Sequence, residues 1–400
     1  MKEKEKGCVL AFLLCLVAIC QMSIDIYLPS IPRMISLFAA PVEQVQMTMS
    51  IYLLGFGASQ IFYGPFTDRF GRLPVLLVGL PFFSVASVAM MWAPSIYWVL
   101  FLRFVQGISV GAASVCARAI LRDVFEADEL PVASSYMSMG WALVPILAPT
   151  LGGTIQIHFG WSYSFLLLGV LGIGLTCWLI MGIGETNMHK TSTLSVNEIM
   201  QSYASLFTKA EFRNNMVLLS FLFGIFSIVN VAGPIVFQHQ YHFSTVAYGF
   251  TMLIVAFGYL VGSFLNTRLL IYLRSVHIIG VGTIIIFVTC LIDLVIEFFG
   301  FGSAYTLICV LFSIYLSLGL VFANALSASL GPFPDLAGIA SSMYGFLLFC
   351  SGSLISYGYA AFLESNSTSL ACAVSVLGFL MFACHIVFSR EYCAKYSIDC

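Results

Sequence analysis

The sequence predicts an all-α integral membrane protein of 12 transmembrane helices in two pseudo-symmetric six-helix bundles. Three observations carry this. Of 400 residues, 60% are hydrophobic and only 8% charged, whereas a soluble domain carries about 25% charged residues; mean hydropathy is +1.01. Twelve stretches reach the roughly 20 mostly apolar residues that a spanning helix needs. Lysine and arginine gather on one side of the alternating connections, as they do on the cytoplasmic face of membrane proteins.

The first stretch, 8–32, follows Lys2, Lys4 and Lys6 and begins like a signal peptide. No small-residue cleavage site follows, and the stretch runs on to Asp25-Ile26-Tyr27-Leu28-Pro29, so it is expected to stay as a span. The second, 44–64, leads into Gly64-Pro65-Phe66-Thr67-Asp68-Arg69-Phe70-Gly71-Arg72, whose glycines allow a tight reversal into the third, 74–93. The fourth, 96–120, carries Arg103. The fifth, 132–157, holds Gly140, Pro145, Ala148, Pro149, Gly152 and Gly153. Small residues permit close helix contact and prolines introduce bends. Singly these read as packing; together they suggest a helix that slides or flexes against a partner. The sixth span is 162–184.

The long connection 185–214 repeats Val196, Ile199, Met200, Tyr203, Leu206 and Phe207 at helical spacing, which predicts an amphipathic helix on the inner membrane surface. Both a linker packed on the bundle and a regulatory element fit. Six more spans follow at 215–236, 246–267, 277–298, 303–328, 338–362 and 368–388. The chain thus divides into an N-terminal bundle (1–184), a cytoplasmic linker (185–214) and a C-terminal bundle (215–400). The halves echo one another: Ala133-Ser134-Ser135 opens the fifth span and Ala340-Ser341-Ser342 the eleventh. Two six-helix bundles of like orientation are a common transporter plan.

With the N-terminus inside, Lys2, Lys4, Lys6, Arg69, Arg72, Arg118, Arg122, Lys190, Lys209, Arg213, Arg268, Arg274, Arg390 and Lys395 fall on or near the cytoplasmic face. Arg33 falls outside. Both termini are expected in the cytoplasm. A net charge of −2 points to no nucleic-acid partner. The 12 cysteines are scattered through apolar runs without a CxxC pair and read as small apolar residues. His158, His239 and His242 lack metal-ligand spacing. No HExxH or Walker A motif supports an enzyme or an ATP-driven pump. The reading is therefore no enzyme, no metal and no cofactor, with an ion gradient as energy source.

Charges kept in lipid cost about 3 kcal/mol or more and default to functional hypotheses. Asp25 lies in the outer part of span one; the alternative is a carboxylate near enough to the surface to be solvated. Arg103 lies about 10 Å deep in span four at about 1.5 Å per residue. The two are expected to face one another across a cavity. Burial favours a neutral acid and a nearby arginine favours a carboxylate, a competition suited to a group that binds and releases protons. A static ion pair is the alternative. Asp293 and Glu297 are expected at the outer interface. Asp68 is expected to accept from helix N-terminal amides, or from Arg118 or Arg122, against the simpler reading of the loop as a positive-inside anchor. Tyr27, Tyr52, Asn230, Tyr248, Asn324 and Tyr344 are polar-tipped residues in apolar spans, candidates for a substrate cavity or plain helix packing.

These residues resemble the major facilitator superfamily, and within it the 12-span drug:proton antiporters of the bicyclomycin/chloramphenicol-resistance type. The turn from Gly64 to Arg72 is similar to the superfamily loop motif, with Leu73 where a second basic residue is usual. Arg103-Phe104-Val105-Gln106-Gly107 resembles the span-four motif that the family associates with proton transfer. Ala148-Pro149-Thr150-Leu151-Gly152-Gly153 resembles the antiporter motif, with Ala148 for the usual glycine. Ser23-Ile24-Asp25-Ile26-Tyr27-Leu28-Pro29 and Ala117-Arg118-Ala119-Ile120-Leu121-Arg122-Asp123 look like subfamily signatures. The resemblance implies proton-coupled export of a small drug-like or metabolite molecule across a bacterial inner membrane by a monomer. Asp25 and Arg103 would couple protons, and Gly64, Asp68, Arg69, Gly71, Arg72, Arg118, Arg122, Pro149, Gly152 and Gly153 would govern gating. A passive facilitator or nutrient importer, and a scaffold on the same fold, are the alternatives.

Overall fold

A computed structural model describes residues 3–126, 129–187, 196–333 and 336–396. Lys2 and Lys190 lie outside them, and the side chains of Lys4, Arg390 and Lys395 are outside what is described. The helices are α1 (Glu3–Asp25), α2 (Ile31–Phe38), α3 (Val42–Phe70), α4 (Arg72–Ala89), α5 (Ile96–Val124), α6 (Leu130–His158), α7 (Ser162–Gly182), α8 (Val196–Leu206), α9 (Ala210–Ile235), α10 (Thr245–Leu269), α11 (Ser275–Phe298), α12 (Ala304–Leu330), α13 (Ala337–Phe362) and α14 (Ser367–Tyr396). Among the described residues there is no strand. In a solvent that cannot hydrogen-bond, helices satisfy their backbone internally, and this dictates the class.

Among the described residues, and leaving out α2 and α8, twelve helices are long enough to cross a bilayer. Eleven segments are also apolar enough by composition, and the exception is α3, the expected second span. Its polar residues point into protein. Gln46, Thr48, Ser50, Ser59 and Gln60 are buried, and Gln46, Ser50 and Gln60 bond to residues on other helices. The expected first span is interrupted. Its chain continues after α1 through a 3-10 turn at Leu28–Ser30 into α2, which closes on Ala39 in the left-handed conformation.

The packing has an internal two-fold character. In the N-terminal half α1 packs on α5, α6 and α7; in the C-terminal half α9 packs on α12, α13 and α14. The contacts α3 with α5, α4 with α5 and α4 with α7 recur as α10 with α12, α11 with α12 and α11 with α14. The halves meet along two seams, α3 with α13 and α6 with α10, which exchange under the same correspondence.

Lipid is as apolar as a leucine side chain, so close packing holds such helices together. A Cβ at Gly107 would overlap the Tyr52 carbonyl on α3, and one at Gly262 would overlap the Leu316 carbonyl on α12. Outward, Phe82, Val85, Phe264 and Phe298 are exposed to what must be lipid. The helix α8 in the long connection has Tyr203 and Leu206 buried and Met200 exposed. It packs on α13, and the Tyr203 hydroxyl donates to the Ile61 carbonyl at 3.1 Å, so it straddles both halves.

Gly107→Ala is expected to lower the melting temperature of the purified protein, because forcing a methyl into this contact costs about 1–3 kcal/mol. Gly174→Ala is the control, since nothing lies within 4 Å of a Cβ there. Equal melting of the two variants would show that the α3–α5 contact tolerates the added volume.

Candidate functional site

Pro29 has no N–H to offer the carbonyl four residues earlier, and that carbonyl belongs to Asp25. Accordingly α1 stops at Asp25. The break brings the Ile26 carbonyl against α6, where a Cβ at Gly152 would collide with it. The neighbouring Gly153 faces α10 in the other half, where a Cβ would lie 2.9 Å from the Thr245 carbonyl. The two adjacent glycines thus let α6 touch the broken end of α1 on one side and the opposite half on the other.

Asp25 is 2% exposed. Its Oδ1 accepts a hydrogen bond from the Asn230 amide of α9 at 3.1 Å, and its Oδ2 has no hydrogen-bond partner. Tyr248 of α10 and Tyr315 of α12 lie within electrostatic reach, so the carboxylate sits on the seam between the halves. The Tyr248 hydroxyl is buried and without a partner. A buried carboxylate oxygen left open is costly unless water, a proton or a ligand attends it.

Arg103 is 0% exposed and forms no ion pair with Asp25, although the two charges feel one another. Its Nη1 donates to the Ser23 carbonyl at 2.9 Å and to Gln106 Oε1 at 2.7 Å; Gln106 donates onward to the Ser87 hydroxyl. The guanidinium lies 3.9 Å from the Tyr27 ring centroid, 4.7 Å from Tyr52 and 5.3 Å from Phe165. Desolvated cation–π contacts reach about 2 kcal/mol or more each. Nε and Nη2 have no hydrogen-bond partner. The aromatic faces, with two hydrogen bonds, therefore take the place of the expected carboxylate.

The six candidate cavity residues separate. Tyr27 and Tyr52 spend their rings on Arg103, and their hydroxyls bond Thr48 at 3.0 Å and Ser23 at 2.5 Å inside the N-terminal half. Asn324 donates to Asn266 at 2.6 Å, joining α12 to α10. Tyr344 stands in the electrostatic neighbourhood of Arg118. Asn230 and Tyr248 gather with Asp25. Asp293 is buried rather than at the interface, while Glu297 accepts from the Ser367 and Thr368 hydroxyls.

At the other end, Asp68 accepts from Arg72 Nη1 at 2.7 Å, and Arg72 Nε donates to Asp123 at 3.0 Å, which ties α3, α4 and α5 within one half. Arg118 donates to Ser114 and Gln60 rather than to Asp68. Arg122 donates through Nε to the Arg118 carbonyl. Arg69 stacks on Phe70. Gly64 faces α13, where a Cβ would lie 2.6 Å from the Ser342 hydroxyl. A cleft of about 250 Å³ opens here, lined by Gly64, Asp68, Arg118, Arg122, Tyr203 and Ser342 among others.

Sequence reasoning missed Glu185. Its carboxylate accepts the Arg72 and Leu73 amides at 2.9 and 3.1 Å, which caps α4. Gly71, with φ of 104°, turns the chain so that these amides face it. Asn187 adds bonds to the Thr67 and Asp68 carbonyls. The only sequence signal is a lone acid just after a long apolar span. Glu185→Ala is expected to cost about 2 kcal/mol, since hydrogen bonds to charged groups contribute about 1.5–3 kcal/mol, and Glu185→Gln less. Thermal unfolding of both variants measures this, and an unchanged Ala variant would mean that water caps α4 equally well.

The Major Facilitator Superfamily profile matches residues 13–357. The chain is 28% identical over 386 residues to multidrug resistance protein D of Escherichia coli, covering 96% of each. It is 28% identical over 334 residues to a bicyclomycin resistance protein homolog of Haemophilus influenzae, covering 83% of each. Its fold superposes on the partially occluded inward-open xylose transporter XylE of E. coli with a TM-score of 0.73 at 14% identity, covering 94% of this chain and 96% of that one. Multi-pass membrane architecture, internal two-fold packing and these matches agree: the chain belongs to the Major Facilitator Superfamily and is a membrane transporter, not an enzyme.

Proposed function

We propose that this transporter is a drug-efflux antiporter that exchanges protons for a small, partly apolar molecule by alternating access. One observation carries the proton reading: Asp25 is a buried carboxylate on the seam between the halves with one oxygen unclaimed. The names of the relatives, multidrug resistance protein D and a bicyclomycin resistance homolog, support the substrate class. The lysine and arginine distribution supports placing the Asp68 end and both termini in the cytoplasm. The repeated packing supports a division at residues 184 and 215. A monomer suffices, since one chain supplies both halves.

In this reading Asp25 takes a proton when the Asp25 end opens to the outside and loses it when the cavity connects to the cytoplasm. Arg103 contributes a fixed positive potential from behind Tyr27 without competing for the carboxylate oxygens. The Asp68–Arg72–Asp123 cluster keeps the cytoplasmic ends of α3, α4 and α5 moving as one body, Pro149 and Gly153 form the surface on which α6 shifts against α10, and Gly152 seats α6 on the broken end of α1. The proton gradient is the only energy source required.

Proteoliposomes test this. Uptake of a panel of antibiotics and dyes into inside-acid vesicles is expected to exceed uptake without a pH difference. Asp25→Asn is expected to abolish the gradient-driven part while the protein remains monodisperse. If that variant still concentrates a compound on a pH difference alone, the proton travels by another residue.

A further inference from the structure

Seven hydrogen bonds cross between the halves near Asp25 and along the adjoining seams, among the described residues. Gln46 of α3 donates to the Val231 carbonyl and the Ser365 hydroxyl. Ser50 meets the Ser356 hydroxyl, and Ser353 donates to the Ser50 carbonyl. Gln238 donates to the Pro29 carbonyl and Thr150 to the Gly249 carbonyl. Both ends of these six are neutral at any pH the protein meets. The seventh, from Asn230 to Asp25, is the one with an ionisable member.

The groups around Asp25 sharpen the point. α5 presents Arg103, α3 Tyr52, α10 Tyr248 and α12 Tyr315. Tyrosines stay neutral and arginine stays charged across the physiological range. α9 presents the neutral Asn230. Asp25 is therefore the member of this neighbourhood whose charge changes, and Asn230 is the C-terminal-half side chain bonded to it.

An antiporter must forbid one transition above all: reorientation of the carrier that holds neither proton nor substrate. If that form reorients, protons cross without cargo. We propose that Asn230 is the residue that forbids it, by holding the ionised, empty Asp25 across the seam. The amide donates to a carboxylate, and such charge-assisted bonds are roughly twice as strong as neutral ones. Separating the halves at this end breaks that bond. A proton on Asp25 converts it to a neutral bond, and a substrate group that donates to the carboxylate replaces it, so either ligand releases the hold. Asn230 is a positioning residue that acts through Asp25, and the inference rests on the reading that Asp25 carries the proton.

The test needs no substrate. Wild-type protein, Asn230→Ala, the near-isosteric Asn230→Leu and the double variant Asp25→Asn/Asn230→Ala are reconstituted in vesicles with trapped pyranine. Potassium and valinomycin are present on both sides to cancel the membrane potential. Decay of an imposed pH difference is expected to be slow for the wild type and at least about tenfold faster for both single variants, the ratio expected from losing a hydrogen bond to a charged group. The double variant is expected to hold the gradient like the wild type, having no carrier. A single variant that is helical and monodisperse yet holds the gradient overturns the role of Asn230. A leak that persists in the double variant instead overturns Asp25 as the carrier. A further measurement on the unmodified protein is independent of both substitutions. Amide exchange over residues 26–40 and 231–245, corrected for intrinsic rates, is expected to quicken severalfold as pH falls through the titration of Asp25. Exchange indifferent to pH also overturns the proposal.

Discussion

A charge without water is the constraint around which the centre of this protein is arranged. Arg103 is fully buried, and among the described residues no carboxylate is bonded to it. Its burial is made tolerable by the Ser23 carbonyl, Gln106 and the faces of Tyr27, Tyr52 and Phe165. Those aromatic residues come from the α1–α2 connection, α3 and α7, so the guanidinium is the point at which half of the N-terminal bundle converges. Once Tyr27 is fixed over Arg103, the chain that carries it must leave the α1 axis, and Pro29 sees that it does. Asp25, two residues earlier, is thereby carried to the seam rather than into the bundle.

The two-fold packing gives this arrangement its reach. α1 and α9 are equivalent helices, and both are modified at the same end: α1 breaks at Asp25, while α9 has Pro234 and passes into a π-helical turn at Val236–Gln240. Prolines in lipid-embedded helices free backbone groups that neighbours must satisfy. Bonds cross between the halves beside these irregular ends, through Gln238 to the Pro29 carbonyl and Gln46 to the Val231 carbonyl. Irregularity on either side of the axis is what supplies the seam with hydrogen-bonding groups.

Much of this was legible in the sequence, because lipid leaves composition little freedom. Helix class, the span positions and the amphipathic α8 follow from apolar runs and their period. Asp25 and Arg103 stand out since a charge in a span is rare. What the sequence concealed is whom each residue meets. Tyr27 and Tyr52 read as polar tips for a ligand, yet their ring faces are occupied by Arg103, and an aromatic ring gives no sign in one dimension of which surface it uses. Asn230 read as one polar residue among six; that it meets Asp25, 205 residues earlier, is a property of the assembled halves. Glu185 was invisible, because its role depends on two amides exposed by the turn at Gly71. The second span escaped a purely compositional criterion for a related reason: its buried Gln46, Ser50, Ser59 and Gln60 face protein rather than lipid.

The two seams are unequal, and the inequality says how the halves can move. α3 and α13 touch from Ser50 against Ser356, through stacked Phe56 and Phe349 with centroids 4.0 Å apart, to Gly64 against Ser342. Among the described residues, the hydrogen bond from Thr150 to the Gly249 carbonyl and the close approach of Gly153 to the Thr245 carbonyl, which join α6 and α10, lie near the Asp25 end. A long contact made of serines, glycines and one aromatic stack has few interlocking projections, so it can roll or slide without first being pulled apart. A short contact of backbone against backbone closes or opens as a unit. The α3–α13 seam is thus suited to act as the bearing, and the Pro149–Gly153 surface as the edge that swings. On such a lever a single bond close to the swinging edge has more effect on the equilibrium than one along the bearing, and the Asp25–Asn230 bond lies beside that edge, with Gly152 packed on the next residue of the chain. The proposed proton site and the mechanical edge therefore coincide, so one charge could govern a movement of the whole molecule without a relay between distant sites.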